Sequence, residues 1–423
     1  MLGSRQLSML AVLAMVAVGI AFWLTSSRQP TESMAASGPL LPSLSARLND
    51  VSEVAISAAG QRIATLRKSD DGWVMPERDN YAVDIATLRS LLVNIDHARR
   101  IEPKTRNPER YAKLGVEDPL ADASATGVRV DIKAGDDNMG VIIGSNRQGG
   151  SGTYVRRVDD AQSWLADRNI AVERRPARWL QRQLIDIPAS RIHAVTVEHP
   201  TEGDVAADQV RIEADGSSGF RLLNPPAGRE PDDGYAAEAL AGFLADLRFD
   251  ELASVETHAV ADAGAGSAEF QSSDGIVVTL RFWSEGEQPQ RVWASFSVDL
   301  EETRMQEGVA AAQAAARVAH EAAEAAAKRD PTTDETADDV SAADAADPAG
   351  DASSTADARG ADAAEAPLAV TDPEADREAR IAALRAEVAM LAGRFEGRVF
   401  ELPTFKASNL RKRLDAYLKP ANN

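Results

Sequence analysis

The chain contains no cysteine in 423 residues. That excludes disulfides, a cysteine-linked lipid anchor and any thiolate nucleophile. Histidine is scarce, with His97, His193, His199, His258 and His320 the whole supply. Basic residues are outnumbered, 46 Lys and Arg against 66 Asp and Glu. The resulting net charge of −20 argues against nucleic acid as a partner, because phosphate binding needs a basic face. Long apolar runs are also missing, with one exception at the very start.

That exception is residues 7–25, an uncharged and mostly apolar stretch with Phe22 and Trp23 near its far end. As a helix it would measure about 28 Å at ~1.5 Å per residue, enough to cross a hydrocarbon core of about 30 Å. The flank before it is short and carries Arg5, so the positive-inside tendency keeps residues 1–6 cytoplasmic and exports the body. A cleaved signal peptide is the competing reading. Its apolar core would exceed the usual ~7–15 residues, and the small residues around Met34, Ala35 and Ala36 lie far downstream. The expected arrangement is a retained single-pass anchor in a bacterial inner membrane, a linker at 26–43 and a periplasmic body.

The acidic surplus is concentrated. Between Gln306 and Ala379 there are 18 Asp and Glu against 5 Lys and Arg, in a background of Ala, Asp and Thr. The middle of this stretch lacks the apolar surface needed to offset chain entropy, and disorder is expected there. Its shoulders differ. Met305, Val309, Ala312, Ala316, Ala319, Ala323 and Ala326 step by threes and fours, as do Ile381, Leu384, Val388 and Leu391. Two antiparallel helices projecting from the body are expected, with the acidic segment at 305–390 inserted between strands at 292–298 and 398–401.

The rest reads as one pattern used twice. Leu48, Val51, Val54 and Ile56 match Leu184, Ile187, Ile192 and Val195; Trp73 and Val74 match Phe220 and Leu222. A helical stripe follows each, Ile85, Leu88, Leu91, Leu92 and Ile95 against Leu240, Phe243, Leu244 and Leu247. Later, Val128, Val130 and Ile132 are set against Ile276, Val278 and Leu280, and Tyr154 to Arg156 against Arg398 to Phe400. Alternating strands interrupted by helices indicate an α+β fold: two tandem copies of a mainly antiparallel sheet-plus-helix unit. The first repeat is placed at 44–181, the second at 182–304 with 391–420.

No constellation for chemistry emerges. His193 and His199 share a strand face by parity but stand about 20 Å apart, too far for one metal ion. Gly144, Gly149, Gly150 and Gly152 lack a Lys-Ser/Thr ending and precede a strand, so they form a hairpin loop rather than a phosphate loop. Asp136, Asn138 and Gly140 imitate a calcium loop, but Arg147 occupies the position that needs Glu. Trp73, Trp164, Trp179, Trp283 and Trp293 read as core residues. Arg99, Arg100, Lys104, Arg106 and Arg110 form one basic patch against the overall charge. No catalytic, cofactor-binding or metal-binding residue is assigned, and no cofactor or small-molecule substrate is indicated.

Several stretches resemble a bacterial membrane protein family named for "domain of unknown function 4340". They are residues 44–56, Asp71-Gly72-Trp73, Ile101-Glu102-Pro103-Lys104-Thr105, Tyr111 to Val116, Gly152 to Arg156, 184–188 and 400–406. The resemblance implies association with ABC-type transport components similar to gliding-motility auxiliary proteins. The leading expectation is therefore a non-enzymatic, membrane-anchored accessory subunit whose partners are an ABC permease, its ATPase and auxiliary subunits. The alternative is an envelope binding module for glycan or peptide. If the anchor is retained, sequencing the mature N-terminus will return residue 1 or 2; a terminus near Ser37 would reverse this reading.

Overall fold

Val128, Val130, Ile132 and Ala134 are each buried while Arg129, Asp131 and Lys133 between them are not, the signature of a strand with one face on a core. Such alternation dominates the computed structural model. It describes residues 38–327 and 372–420, apart from positions 71, 217–218, 233–234, 261–263 and 287–289. The expected anchor at 7–25 and the middle of the acidic segment lie outside the described residues. Among the described residues no helix is long and apolar enough to cross a membrane. The chain divides into two units, Met1–Arg182 and Gln183–Asn423. The fold is α+β with antiparallel sheets.

The first unit holds ten strands: β1 Gly38–Pro39, β2 Val51–Ala58, β3 Gln61–Ser69, β4 Gly72–Met75, β5 Tyr81–Ala82, β6 Arg99–Pro103, β7 Val128–Ala134, β8 Asp137–Asn146, β9 Thr153–Arg157 and β10 Ser163–Ala166. Their order in the sheet is β5-β4-β3-β2-β7-β8-β9-β10-β6-β1. A short helix α1, Leu44–Arg47, precedes β2. The longer α2, Ile85–Asp96, lies between β5 and β6 and buries Leu88, Leu91, Leu92 and Ile95 of the expected stripe, while Ile85 at its first turn is exposed. Asp84 starts α2 by accepting from the backbone N–H of Ala86 at 2.9 Å and of Thr87 at 3.3 Å, satisfying donors that a helix start leaves open.

In the second unit the strands are β11 Gln183–Ile185, β12 Ile192–His199, β13 Asp208–Ala214, β14 Phe220–Leu222, β15 Leu247–Arg248, β16 Glu251–Ser254, β17 Gly266–Ser272, β18 Ile276–Glu285, β19 Arg291–Leu300 and β20 Arg398–Leu402. The helices are α3 Ala236–Ala241, α4 Glu302–Ala327, α5 Pro373–Phe395 and α6 Thr404–Leu410. The main sheet runs β14-β13-β12-β17-β18-β19-β20-β16, and β11 pairs with β15 apart from it.

Placed side by side, eight of the ten strands in the first sheet can be set against the eight of the second, with β1 and β5 left unmatched. β4-β3-β2-β7-β8-β9-β10-β6 in one unit is matched by β14-β13-β12-β17-β18-β19-β20-β16 in the other. An isolated bridge joins Val83 to Leu180 in the first unit and Pro231 to Leu418 in the second, each beside a short 3-10 helix, Pro176–Trp179 and Leu414–Tyr417. The later pairings expected from the sequence are displaced by one strand. By position in the sheet, Val128–Ala134 is matched by Gly266–Ser272, and Ile276–Glu285 by Asp137–Asn146. Likewise β9 is matched by β19, and Arg398–Leu402 by β10. The reason is local: β17 reads Gly-Ser-Ala-Glu-Phe-Gln-Ser, with only Ala268 and Phe270 as buried hydrophobic residues, too weak an alternation to show as a strand.

The acidic segment does interrupt the β19–β20 connection. These strands pair antiparallel, Val292 with Leu402 and Ala294 with Phe400. The helices, however, do not simply project. Met305 and Val309 at the start of α4 are buried, and so are Leu384, Leu391 and Phe395 on α5. Phe395 lies 5.3 Å from Phe296 of β19 between ring centroids, and Phe296 lies 6.0 Å from Phe400 of β20. Where α4 leaves the sheet, a Cβ on Gly308 would come within 2.6 Å of the Asp274 backbone, and one on Gly275, at φ +91°, within 2.6 Å of the Met305 nitrogen. Arg191 then ties α5 down. Its Nε donates to Asp274 at 2.6 Å, and its Nη1 and Nη2 donate to Glu387 at 2.9 and 2.8 Å. Beyond Val309 no described residue of α4 is buried, so only the outer part stands away from the core.

Truncation of Phe395 to Ala is expected to cost about 3–4 kcal/mol, the range for a large core aromatic, whereas Met390→Ala, on the exposed side of the same helix, should stay within ~0.5 kcal/mol. Urea unfolding of the two variants separates a docked helix from a free arm; equal and small effects would restore the projecting hairpin.

Candidate functional site

The basic patch lies along one edge of the first sheet. β6 carries Arg99 and Arg100 and is covered on its outer side only by the two-residue β1, with Gly38 opposite Arg100 and Pro39 opposite Arg99. A register shift in the β6–β10 pairing leaves Ile101 without a partner across that ladder, and its side chain is 48% exposed. Arg100 places its guanidinium 5.0 Å from the ring centre of Trp164, and Lys104 its ammonium 5.7 Å from that of Tyr154. Lys104 also donates to Glu102 at 2.6 Å. Arg106 donates to the neutral Gln162 at 2.9 Å. Arg99, Arg106 and Arg110 are exposed, and among the described residues neither their guanidiniums nor that of Arg100 has a carboxylate within ion-pair distance, although the Arg99 backbone N–H donates to the Asp167 carboxylate at 2.9 Å. The Nε of Arg100 and the Nε1 of Trp164 are buried without a partner among the described residues.

The histidines are scattered. His97 caps the C-terminal end of α2 and is exposed. His193 and His199 do not share a face. The register shifts between Ile192 and Ala194, which takes His193 out of the alternation, half-exposed and 3.6 Å from Glu213. His199 is buried: its Nε2 lies 2.7 Å from the Leu410 carbonyl and its Nδ1 2.9 Å from Asp208. Arg413 donates to that same carboxylate at 3.3 Å, and to the carbonyls of Ala206 and Pro200. The Nε2 contact holds α6 to the end of β12, while Nδ1 lies close to the Asp208 carboxylate without a well-aligned hydrogen bond among the described residues. His258 stacks 4.0 Å from Trp293 and lies 2.9 Å from Glu285, while His320 sits on α4 at 3.6 Å from Glu324. Among the described residues no three acidic or histidine side chains gather as a metal site.

The mimics resolve as turns. Gly149 and Gly152 adopt φ of +73° and +119° in the β8–β9 hairpin, closed by Arg147 N–H to the Gly152 carbonyl at 2.8 Å. Asp136 belongs to the tight β7–β8 turn, where Ala134 faces Asp137. Trp179, Trp283 and Trp293 are buried; Trp73 and Trp164 are half-buried.

Several important side chains give no signal in the sequence. Lys406 donates to three carbonyls, of Gly242, Phe243 and Ala245, at 2.9, 2.9 and 2.7 Å, completing the turn after α3. Burial lowers the proton affinity of its amine. Arg191 is held more firmly protonated by its bonds to Glu387, partly offset by burial. Arg156, buried over the Tyr111 ring at 4.6 Å, donates to the Val116 carbonyl at 3.0 Å. In each case the charge serves a carbonyl or carboxylate thrown close by tertiary folding.

Residues 73–265 match the family model described as Domain of unknown function (DUF4340). The DUF4340 match begins within β4 and ends just before β17, so it takes in parts of both units and coincides with neither. No curated protein matches the chain, and no solved structure does. The matched region includes the whole arginine edge.

Tyr417 ends the 3-10 helix Leu414–Tyr417, its hydroxyl buried without a partner among the described residues, and burial raises its pKa. A group whose folded pKa is raised loses its contribution as pH climbs above the unfolded value, here 10.0. Tyr417→Phe should therefore leave the melting temperature at pH 7 unchanged or higher, and should lessen the loss of stability above pH 10 seen in the parent. A marked fall at pH 7 would mean the hydroxyl has a partner.

Proposed function

We propose that this DUF4340 protein is a non-enzymatic accessory subunit, held at the bacterial inner membrane by residues 7–25, with its body in the periplasm beside an ABC-type transport system. The observation that carries the interaction role is the arginine edge. The buried His199 and the half-buried Arg191 and Lys406 serve to hold the fold. Among the described residues the guanidiniums of Arg99, Arg100, Arg106 and Arg110 have no carboxylate partner; Arg99 and Arg100 stand on the edge strand β6, and Arg106 and Arg110 follow it. Such an edge suits contact with an acidic surface. The transport association comes from the family resemblance and is independent of that geometry.

The matching strand orders support reading the body as two tandem copies of one unit, 44–181 and 182–304 with 391–420. On this reading the five-residue β9–β10 connection of the first copy marks where the acidic segment entered the second. A glycan- or peptide-binding module is the weaker alternative: it needs exposed aromatic platforms, and three of the body's five tryptophans are buried.

Affinity purification of the full chain from mild detergent should recover a permease and ATPase at near-equal amounts. Recovery of the protein alone, repeated after cross-linking in cells, would remove the transport role while leaving the tether untouched.

A further inference from the structure

The charge of this chain is divided between its units. Residues 1–182 carry 24 Lys and Arg against 21 Asp and Glu, while residues 183–423 carry 22 against 45. The first unit is thus slightly basic inside a strongly acidic protein. Its unpaired arginines at positions 99, 100, 106 and 110 lie on or just after β6. The chain enters the described fold at the same strand: Gly38 and Pro39 form β1 against Arg100 and Arg99. Only residues 26–37 separate that entry from the apolar run, a span of at most about 43 Å when fully extended at ~3.6 Å per residue.

We propose that the β6 edge is a membrane-docking surface, on which Arg99, Arg106 and Arg110, with Ile101 between them, rest on an anionic lipid headgroup layer. The proposal rests on the tether proposed above. Three observations favour a bilayer over a protein partner. The chain's own entry point brings this edge to within a short linker of the bilayer. Unpaired guanidiniums provide several donors each to phosphate oxygens without a fixed geometry to match. Ile101 adds an exposed apolar side chain in the middle of the cationic row, the combination expected of a surface at the headgroup boundary. Glu102 and Glu109 lie on the same stretch, so attraction comes from the arginines rather than from every charge present. Docking would hold the first unit against the bilayer.

Because the chain lacks cysteine, Ile101→Cys gives a single attachment point for an environment-sensitive fluorophore. The full-length labelled protein is reconstituted into vesicles of phosphatidylcholine alone or with about 30% phosphatidylglycerol, whose surface potential attracts basic residues over a Debye length. A blue shift and shielding from an aqueous quencher are expected with the anionic lipid only, and both should disappear in about 1 M salt, where the Debye length is ~3 Å. Arg99→Gln, Arg106→Gln and Arg110→Gln together should abolish the shift, and Lys at the same three positions should restore it, each charge contributing roughly fivefold to surface occupancy. Equal signals on both vesicles, or a signal that survives the triple Gln change, overturn the proposal. So does a shift produced by inorganic phosphate without vesicles, which would mark a free-anion site. A chain that fails to float with vesicles in high salt removes the tether, and the proposal with it. Flotation without a lipid-dependent shift removes only the docking surface.

Discussion

The second unit depends on a strand delivered late. β20 lies between β19 and β16, and β16 has no other neighbour in the main sheet. Until Arg398–Leu402 arrives, β16 has nothing to pair with in that sheet, and the Phe296, Phe395 and Phe400 contacts cannot form. Yet β20 follows β19 only after the long acidic segment. The entropy of closing such a connection grows slowly, by about 0.6 kcal/mol for each doubling of its length, so length alone does not forbid it. What shortens the search is the pair of helices that brackets the segment. Their bases are buried and clamped through Arg191, so the effective closure is between the docked ends of α4 and α5.

The same contacts explain why an alanine-rich, charged segment can interrupt a sheet. Large apolar groups are confined to its inner ends: Met305 and Val309 on one side, Leu384, Leu391 and Phe395 on the other. Further out the helices are joined by polar contacts such as Gln313 to Asp376 at 2.9 Å. An insertion that buries its ends and solvates its middle leaves the host core intact. In the first unit the β9–β10 connection takes five residues, with the Arg156 guanidinium donating to the Asp160 carbonyl within it.

The polar groups follow a common economy. Burial of a charge is tolerated where it satisfies carbonyls or carboxylates that the fold strands nearby. His199, Arg156, Lys406 and Arg191 each do this. The arginine edge is different, since among the described residues its guanidiniums meet water, the Trp164 ring or the neutral Gln162 rather than a carboxylate. That contrast separates a structural use of charge from one left open for a partner.

The sequence by itself determined the α+β class, the helical stripe of α2, the turns that imitate phosphate and calcium loops, and the place where the acidic segment enters. These are local signals: period-two and period-3.6 burial, glycine at positive φ, and a change of composition between two strands. It also located the basic patch, because charge can be counted along a chain. Tertiary structure alone decided the rest. It shifted the matching of later strands by one, because β17 has too few large residues to declare itself. It moved His193 off the face of His199 through one register shift. It docked α5 on the sheet through Phe395 and Arg191, whose partners Phe296, Asp274 and Glu387 are far away in sequence. It also placed the entering strand β1 directly against Arg99 and Arg100. Such pairings depend on which distant segments meet, and no local period records that.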